Sequence, residues 1–278
     1  MNPGLSTPRP IVVGPLFRQD GAALVALLTD LSPREWTLPT VCAGWNVRDV
    51  ALHVLGGDLG SLSRRRDGFP ALEPRPDETL GAFLARVNQQ WVETARRFSP
   101  HLVIELLRTS GPQLADYFDT LEPDALGGPV SWAGPGPAPV WLDVAREYME
   151  RWVHQQHIRD AVSRPGQGEA TFSAPVIAAS MHALPKALGT QAAEVGTSVV
   201  VEIEGDAGGE WSVINEPDGW ALFEGAARDA RTTISLSGDA WWRVVTLGMT
   251  PDDAWQRARA HGDPALARAA LGAVAIIA

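Results

Sequence analysis

One stretch limits the fold more than any other: Tyr148-Met149-Glu150-Arg151-Trp152-Val153-His154-Gln155-Gln156-His157. Its surroundings predict a helix from about Val140 to Val162. At about 3.6 residues per turn, Glu150, His154 and His157 stand at i, i+4 and i+7 and share one face. Asp143 and Arg146 extend that polar stripe toward the N-terminus, and the neighbouring faces carry Trp141, Val144, Ala145, Tyr148, Trp152 and Val153. A helix apolar around most of its circumference is expected to be buried, and a buried carboxylate and imidazole need partners. A divalent metal would be one, because Glu and His at i, i+4 can bind the same ion. Two ligands leave such a site incomplete, and His53 is the candidate third donor. The plain alternatives are a hydrogen-bonded core histidine at His53 and a surface ion pair of Glu150 with Arg146 or Arg151.

The whole chain sets the outer limits. Its 278 residues suit two modest domains or one large one, and can bury substantial cores. A formal charge of −10 argues against nucleic acid and anionic membrane as partners, since both reward basic surfaces. A single cysteine, Cys42, excludes an intrachain disulfide and a cysteine-rich zinc site. The stretch Met1–Leu16 has four prolines and no long apolar core, so it does not read as a secretory signal. No run of about 18 apolar residues could span a bilayer. A reducing cytoplasm is the expected setting. Eleven Trp against two Tyr is unusual, and the reading favoured for those near the histidines is packing area.

Taken in order, residues 1–16 read as an extended, Pro-rich arm, and Leu24, Leu27, Leu28 and Leu31 give a helix over Arg18–Leu31. Asn46 is a good N-cap, with Asp49 at N3, for a helix running through His53 to Arg64-Arg65-Arg66, a solvated cationic end. Gly56, Gly57 and Gly60 strip side chains from the turn beyond His53, which close helix packing or room for a ligand would explain. Further helices are expected over Asp77–Phe98 and Pro100–Leu121, the latter broken at Gly111-Pro112. Four or five helices with short to moderate connections predict a bundle. After a linker near residues 164–170, a helix over Ala174–Leu188 precedes β-rich runs at Ser198–Glu204, Glu210–Ile214 and Thr232–Leu236, then short helices. The second half is therefore α+β with a small sheet.

The pattern Trp36-x-x-Pro39-Thr40-x-Cys42-x-Gly44-Trp45-x-Val47-x-Asp49-Val50-x-x-His53 resembles the mycothiol-dependent maleylpyruvate isomerase family, which belongs to the DinB-like four-helix metalloproteins. Glu150-x-x-x-His154 falls where that family carries its other two metal ligands. Thr233-x-Ile-x-Leu-x-Gly238-Asp239-Ala240 and His261-Gly262-Asp263-Pro264-x-Leu266-Ala267 resemble its appended sterol-carrier-like domain. Past the expected arm over 1–16, the resemblance implies a DinB-like metal-binding bundle over 17–164 and an α+β sterol-carrier-like domain over 172–278. It also implies Zn2+, or another divalent transition metal, held by His53, Glu150 and His154 with one open position, and mycothiol as cosubstrate. The function implied is a metal- and thiol-dependent isomerase or S-transferase acting on a small electrophile, as a monomer or homodimer. The alternatives are a metal-dependent hydrolase or lyase without thiol, and a noncatalytic small-molecule binding protein. His157 stands where many relatives carry Asp, and its expected place is behind the metal ligands or on the substrate wall. Cys42, in a broken loop pattern, is not expected to be the nucleophile. Gly248-Met249 lies near where the isomerases would place a basic residue for substrate carboxylates; Arg151, Arg159 and Arg243 are the alternative binders.

Overall fold

A computed structural model describes residues 4–276; the first three residues of the expected arm and the last two of the expected C-terminal domain lie outside them. The chain divides into two compact units. A helical unit takes Val12–Glu122 and Glu147–Gln167, and a mixed-sheet unit takes the N-terminal stretch to Ile11, residues 123–146 and residues 168–276. Among the described residues, no helix is long and apolar enough to cross a membrane.

The helical unit is built from α1 (Gly14–Thr29), α2 (Val47–Ser61), α3 (Leu80–Ala95), α4 (Pro100–Asp119) and the part of α5 (Val140–Ala161) that follows Arg146. Helix α1 packs on α4, and α2 packs on both α3 and α4. Their shared core includes Leu24, Leu28, Val50, Leu55, Val92, Val103 and Ile158, all essentially inaccessible. Helix α2 opens on a reciprocal cap: Asp49 N–H donates to the Asn46 side chain at 3.0 Å, and Asn46 N–H donates to the Asp49 carboxylate at 3.2 Å. Such a cap is worth about 1 kcal/mol and fixes where the helix carrying His53 begins. Arg96 clamps the same carboxylate with two 2.9 Å bonds.

The glycines of α2 separate into two kinds. A Cβ on Gly56 would stand 2.4 Å from the Trp91 indole nitrogen, which donates to the Leu52 carbonyl at 2.7 Å, so Gly56 lets α3 approach. A Cβ on Gly57 would meet nothing within 4 Å. The end of α2 winds wider, as a π-turn over Leu62–Arg66. Arg64 and Arg66 are exposed as expected, whereas Arg65 is half-buried, pairs with Glu147 at 3.3 Å and lies over the Phe118 ring.

Two helical expectations are corrected. Helix α4 runs unbroken through Gly111-Pro112. Pro112 and Arg108 both lie on its exposed face, where water can take the carbonyl that proline leaves without a donor. The single helix expected over Ala174–Leu188 is two, α6 (Ala170–Met181) and α7 (Leu184–Leu188). Pro185 explains the interruption: it sits in the first turn of α7, where a missing N–H costs nothing.

A polar network is buried inside the helical unit. Arg151 donates to Asp58, whose other oxygen accepts from Ser110 Oγ at 2.7 Å. Gln155 donates to Asp20 at 3.0 Å and also to Gln167. Burial raises the Asp20 carboxyl to about 6, against the opposing pull of Arg151 and Arg159. The unfolded carboxyl ionises near pH 4, so between about pH 4 and 6 the folded state holds the extra proton and stability falls as pH rises. Asp20→Asn is therefore expected to raise stability by about 2 kcal/mol at pH 7.5 and to change little at pH 4. Urea melts at the two pH values check this; equal effects at both would contradict it.

The second unit holds a five-stranded sheet of β1 (Ser198–Glu204), β2 (Gly209–Glu216), β3 (Gly219–Glu224), β4 (Thr232–Ser237) and β5 (Arg259–Gly262), in the order β3-β2-β1-β4-β5. The central pair β1 and β4 is parallel and the other pairs are antiparallel. Strand β1, Ser-Val-Val-Val-Glu-Ile-Glu, is buried over most of its length, as a central strand covered on both faces should be. The crossover between the parallel pair passes through β2 and β3, and β3 and β5 are strands the periodicity did not predict. Gly262 is required in β5: its φ is +93° and a Cβ would lie 2.0 Å from the Arg231 carbonyl. Helices α8 (Gly238–Val245), α9 (Pro251–Arg257) and α10 (Pro264–Leu271) follow, with α8 on β1 and β4 and α10 on β4 and β5. The Trp241 indole of α8 donates to Ser180 Oγ of α6 at 2.7 Å.

Candidate metal centre

Helix α2 carries His53 in its second turn, and α5 carries Glu150 and His154 one turn apart. The structure brings the three together. Glu150 Oε1 lies 3.3 Å from His53 Nε2 and 3.1 Å from His154 Nε2. The two imidazole rings meet edge to face, with centroids 4.6 Å apart. The plain alternatives for Glu150 are filled by other groups: Arg146 pairs with Asp143 at 2.9 Å, and Arg151 is held by Asp58.

The electrostatics follow from that arrangement. Burial works to raise the Glu150 carboxyl, but hydrogen bonds to His154 and His53 overcome it and hold the group well below the usual carboxylate range. Burial likewise opposes charge on His154, yet its contacts with Cys42 and Glu150 carry it up to about 10. His53 moves the other way, pushed down by burial and kept from falling further by Glu150. Two imidazoles and an ionised carboxylate thus converge, with one proton or cation shared among them.

The donor set suits a divalent transition metal. Bonds of about 2.0–2.2 Å to nitrogen and oxygen in a tetrahedron put ligand atoms about 3.4 Å apart. The two distances at Glu150, 3.3 and 3.1 Å, match that edge, and all three donor atoms fall within 4.8 Å of one another. Glu150 keeps 39% of its side-chain surface, so the set is open on one side. One wall beside His53 is Trp45, whose ring centroid lies 5.0 Å away and whose indole N–H donates to Gln89 at 2.9 Å.

His157, expected behind the ligands or on the substrate wall, is buried one turn beyond His154 with its ring 5.4 Å from it. Its Nδ1 lies 3.3 Å from Cys42 Sγ, which is also 4.0 Å from His154 Nδ1. Sequence reasoning set Cys42 aside because its loop looked irregular. The loop is tied down, however. Cys42 N–H donates to Thr40 Oγ1 at 3.2 Å, Thr40 Oγ1 donates to the Trp45 carbonyl at 2.9 Å, and Pro39 pairs with Asn46. Burial raises the Cys42 thiol, but the two histidines more than offset it and bring it to about 6. The short spacing from Cys42 to the Asn46 cap ties the loop to the start of α2, but no local signal in the sequence brings it to α5.

Of the arginines considered for substrate carboxylates, Arg151 is buried against Asp58, Arg159 donates to the Pro165 carbonyl at 3.0 Å, and Arg243 pairs with Asp239 and stacks on Trp242.

Fold and donor set together define a helical-bundle protein with a His-Glu-His cluster competent for metal, followed by an α+β unit. The model of the mycothiol maleylpyruvate isomerase N-terminal domain matches residues 17–159, more than half of the chain, and the chain belongs to that family of enzymes. Two crystal structures of mycothiol-dependent maleylpyruvate isomerase, one of them a histidine-to-alanine mutant, are similar to it. Each gives a TM-score of 0.51 at 12% identity and covers 84% of this chain and 87% of that one, which supports a common fold. Apo sterol carrier protein 2 from Yarrowia lipolytica matches over 48% of this chain at 15% identity, but a TM-score of 0.23 is too low to build on. No curated protein matches the sequence.

Proposed function

We propose that this chain is a metal- and thiol-dependent isomerase or S-transferase for a small electrophilic molecule, with mycothiol as the thiol. The observation that carries the proposal is the convergence of His53 Nε2 and His154 Nε2 on Glu150 Oε1. Its chemical class agrees with the family to which the chain belongs and with the isomerases whose fold it shares. His53, Glu150 and His154 would hold the ion, which when bound supplies a Lewis acid able to lower the pKa of a thiol into the neutral range. Zinc is the first candidate, since two imidazoles and one carboxylate with an open position form a catalytic zinc set.

The residues around the cluster have separate tasks. Glu150 keeps the cluster's negative charge, and Trp45 holds the orientation of the His53 ring from the side. Trp45 also presents an apolar wall to an organic substrate. Gly57, one turn along α2 from His53, carries no side chain and has no atom within 4 Å of where a Cβ would stand, and we assign that open face to the thiol or the electrophile. His157 sits behind His154 and keeps the inner side of the cluster polar. In an isomerisation the thiol sulfur bonds to one carbon of a double bond and the new single bond turns. The carbon–sulfur bond then breaks and the thiol is recovered. In a transfer the carbon–sulfur bond remains. A cytoplasmic setting follows from the need for a reduced thiol, and a small-molecule substrate with no nucleic-acid or membrane partner agrees with the net charge.

The test is turnover of maleylpyruvate and of simple electrophiles with and without mycothiol. Dependence on both thiol and metal supports the proposal; equal rates without thiol would sink it in favour of hydrolysis or elimination. Gly57→Leu is expected to raise KM about tenfold or more with metal content unchanged, because a leucine there occupies the open space rather than a ligand position. An unchanged KM would mean that the substrate lies elsewhere.

A further inference from the structure

His154 has two ring nitrogens, and only Nε2 faces Glu150, at 3.1 Å. Its Nδ1 faces Cys42 Sγ at 4.0 Å, and that sulfur lies 3.3 Å from Nδ1 of His157. The three donor atoms of this second group fall within 4.8 Å of one another, as those of the first group do. Zinc bonds of about 2.3 Å to sulfur and about 2.0 Å to nitrogen, at tetrahedral angles, separate S and N by about 3.5 Å. The two measured S···N distances bracket that value.

We propose that Cys42, His157 and His154 Nδ1 form a second seat, for a thiophilic divalent ion, joined to the first seat through the ring of His154. The donors stand on fixed supports. His157 and His154 are one turn apart on α5, and the Cys42 loop is closed by its bonds to Thr40 and by the Pro39–Asn46 bridge. His157 is only 6% exposed, so an ion here would sit deeper than one held by the half-buried Glu150. A thiolate beside two imidazoles selects zinc, cobalt or cadmium over magnesium or calcium. An ion in the second seat alone would displace the proton on His154 Nδ1 to solvent, and ions in both seats would displace the protons of both ring nitrogens, with the Cys42 sulfur bound as thiolate.

The inference rests on the metal reading of the first seat only through the shared His154, and the two can fail separately. The experiment takes the full chain, purified without a tag or added thiol, stripped of metal and titrated with Co(II). Cys42 is the one cysteine in the chain, so a thiolate-to-Co(II) charge-transfer band reports that sulfur alone. The expected result is two bound equivalents, one of them accompanied by the band. Cys42→Ser should lose the band and one equivalent, and His157→Gln should weaken that equivalent about tenfold or more. Glu150→Gln should lose the other equivalent and keep the band. If wild type binds one equivalent that carries the band and only Cys42→Ser removes it, the first seat fails and the second stands. Wild type with a native circular dichroism spectrum and no charge-transfer band would overturn the second seat. So would a cobalt count that Cys42→Ser leaves unchanged.

Discussion

Glu150→Gln is expected to lower thiol-dependent turnover on the order of a thousandfold, about 4 kcal/mol of lost transition-state stabilisation. The amide keeps the size of the side chain and can still reach both imidazoles. It lacks the charge that His53 and His154 hold well below its ordinary pKa. Without that charge the donor set is two neutral nitrogens and a weak oxygen, which binds a divalent ion poorly. The loss should appear in kcat and kcat/KM together rather than in KM alone. Initial rates with mycothiol and maleylpyruvate, at metal concentrations raised until they saturate, measure it. A variant that keeps wild-type kcat/KM would remove the carboxylate from the chemistry.

The second large effect is on stability. Arg151→Met should destabilise the protein by about 3–5 kcal/mol, because it leaves Asp58 charged and buried with only Ser110 as a donor. That is a large part of the total for a domain, commonly about 5–15 kcal/mol. The double variant Arg151→Met with Asp58→Leu should recover most of the loss, since an apolar pair replaces both charges. Denaturant melts of the two variants measure the difference. A single variant within about 1 kcal/mol of wild type would mean that Asp58 finds another counter-charge or takes up a proton. Arg151 is the next residue after Glu150 on α5. The same variant therefore asks how far the ligands' placement depends on the polar interior.

Much of the helical unit was legible because its signals are local. The stripe of Glu150, His154 and His157 is written in the spacing of α5, and the Asn46–Asp49 cap announces the start of α2. Strand β1 was legible because a central strand is apolar on both faces. What stayed hidden depends on contacts between distant residues. Nothing near Cys42 says that its loop folds over α5, so its place beside His154 and His157 had no sequence signature. Arg151 looked like a possible substrate binder because its partner, Asp58, is 93 positions away. Strand β3 is half-buried beyond its exposed first residue and lacks a clean alternation, and β5 is only four residues long. The glycines of α2 were ambiguous for a similar reason: only the position of Trp91 separates the packed Gly56 from the open Gly57.

The most direct measurement of the central claim is metal content by elemental analysis, on wild type and His53→Ala purified without a His-tag. The account predicts bound divalent transition metal in wild type and the loss of about one equivalent per chain in the mutant, with the helical content of both unchanged. Wild type without metal, or a mutant that retains all of it, would contradict the account and leave a bundle that keeps the family's fold without its chemistry.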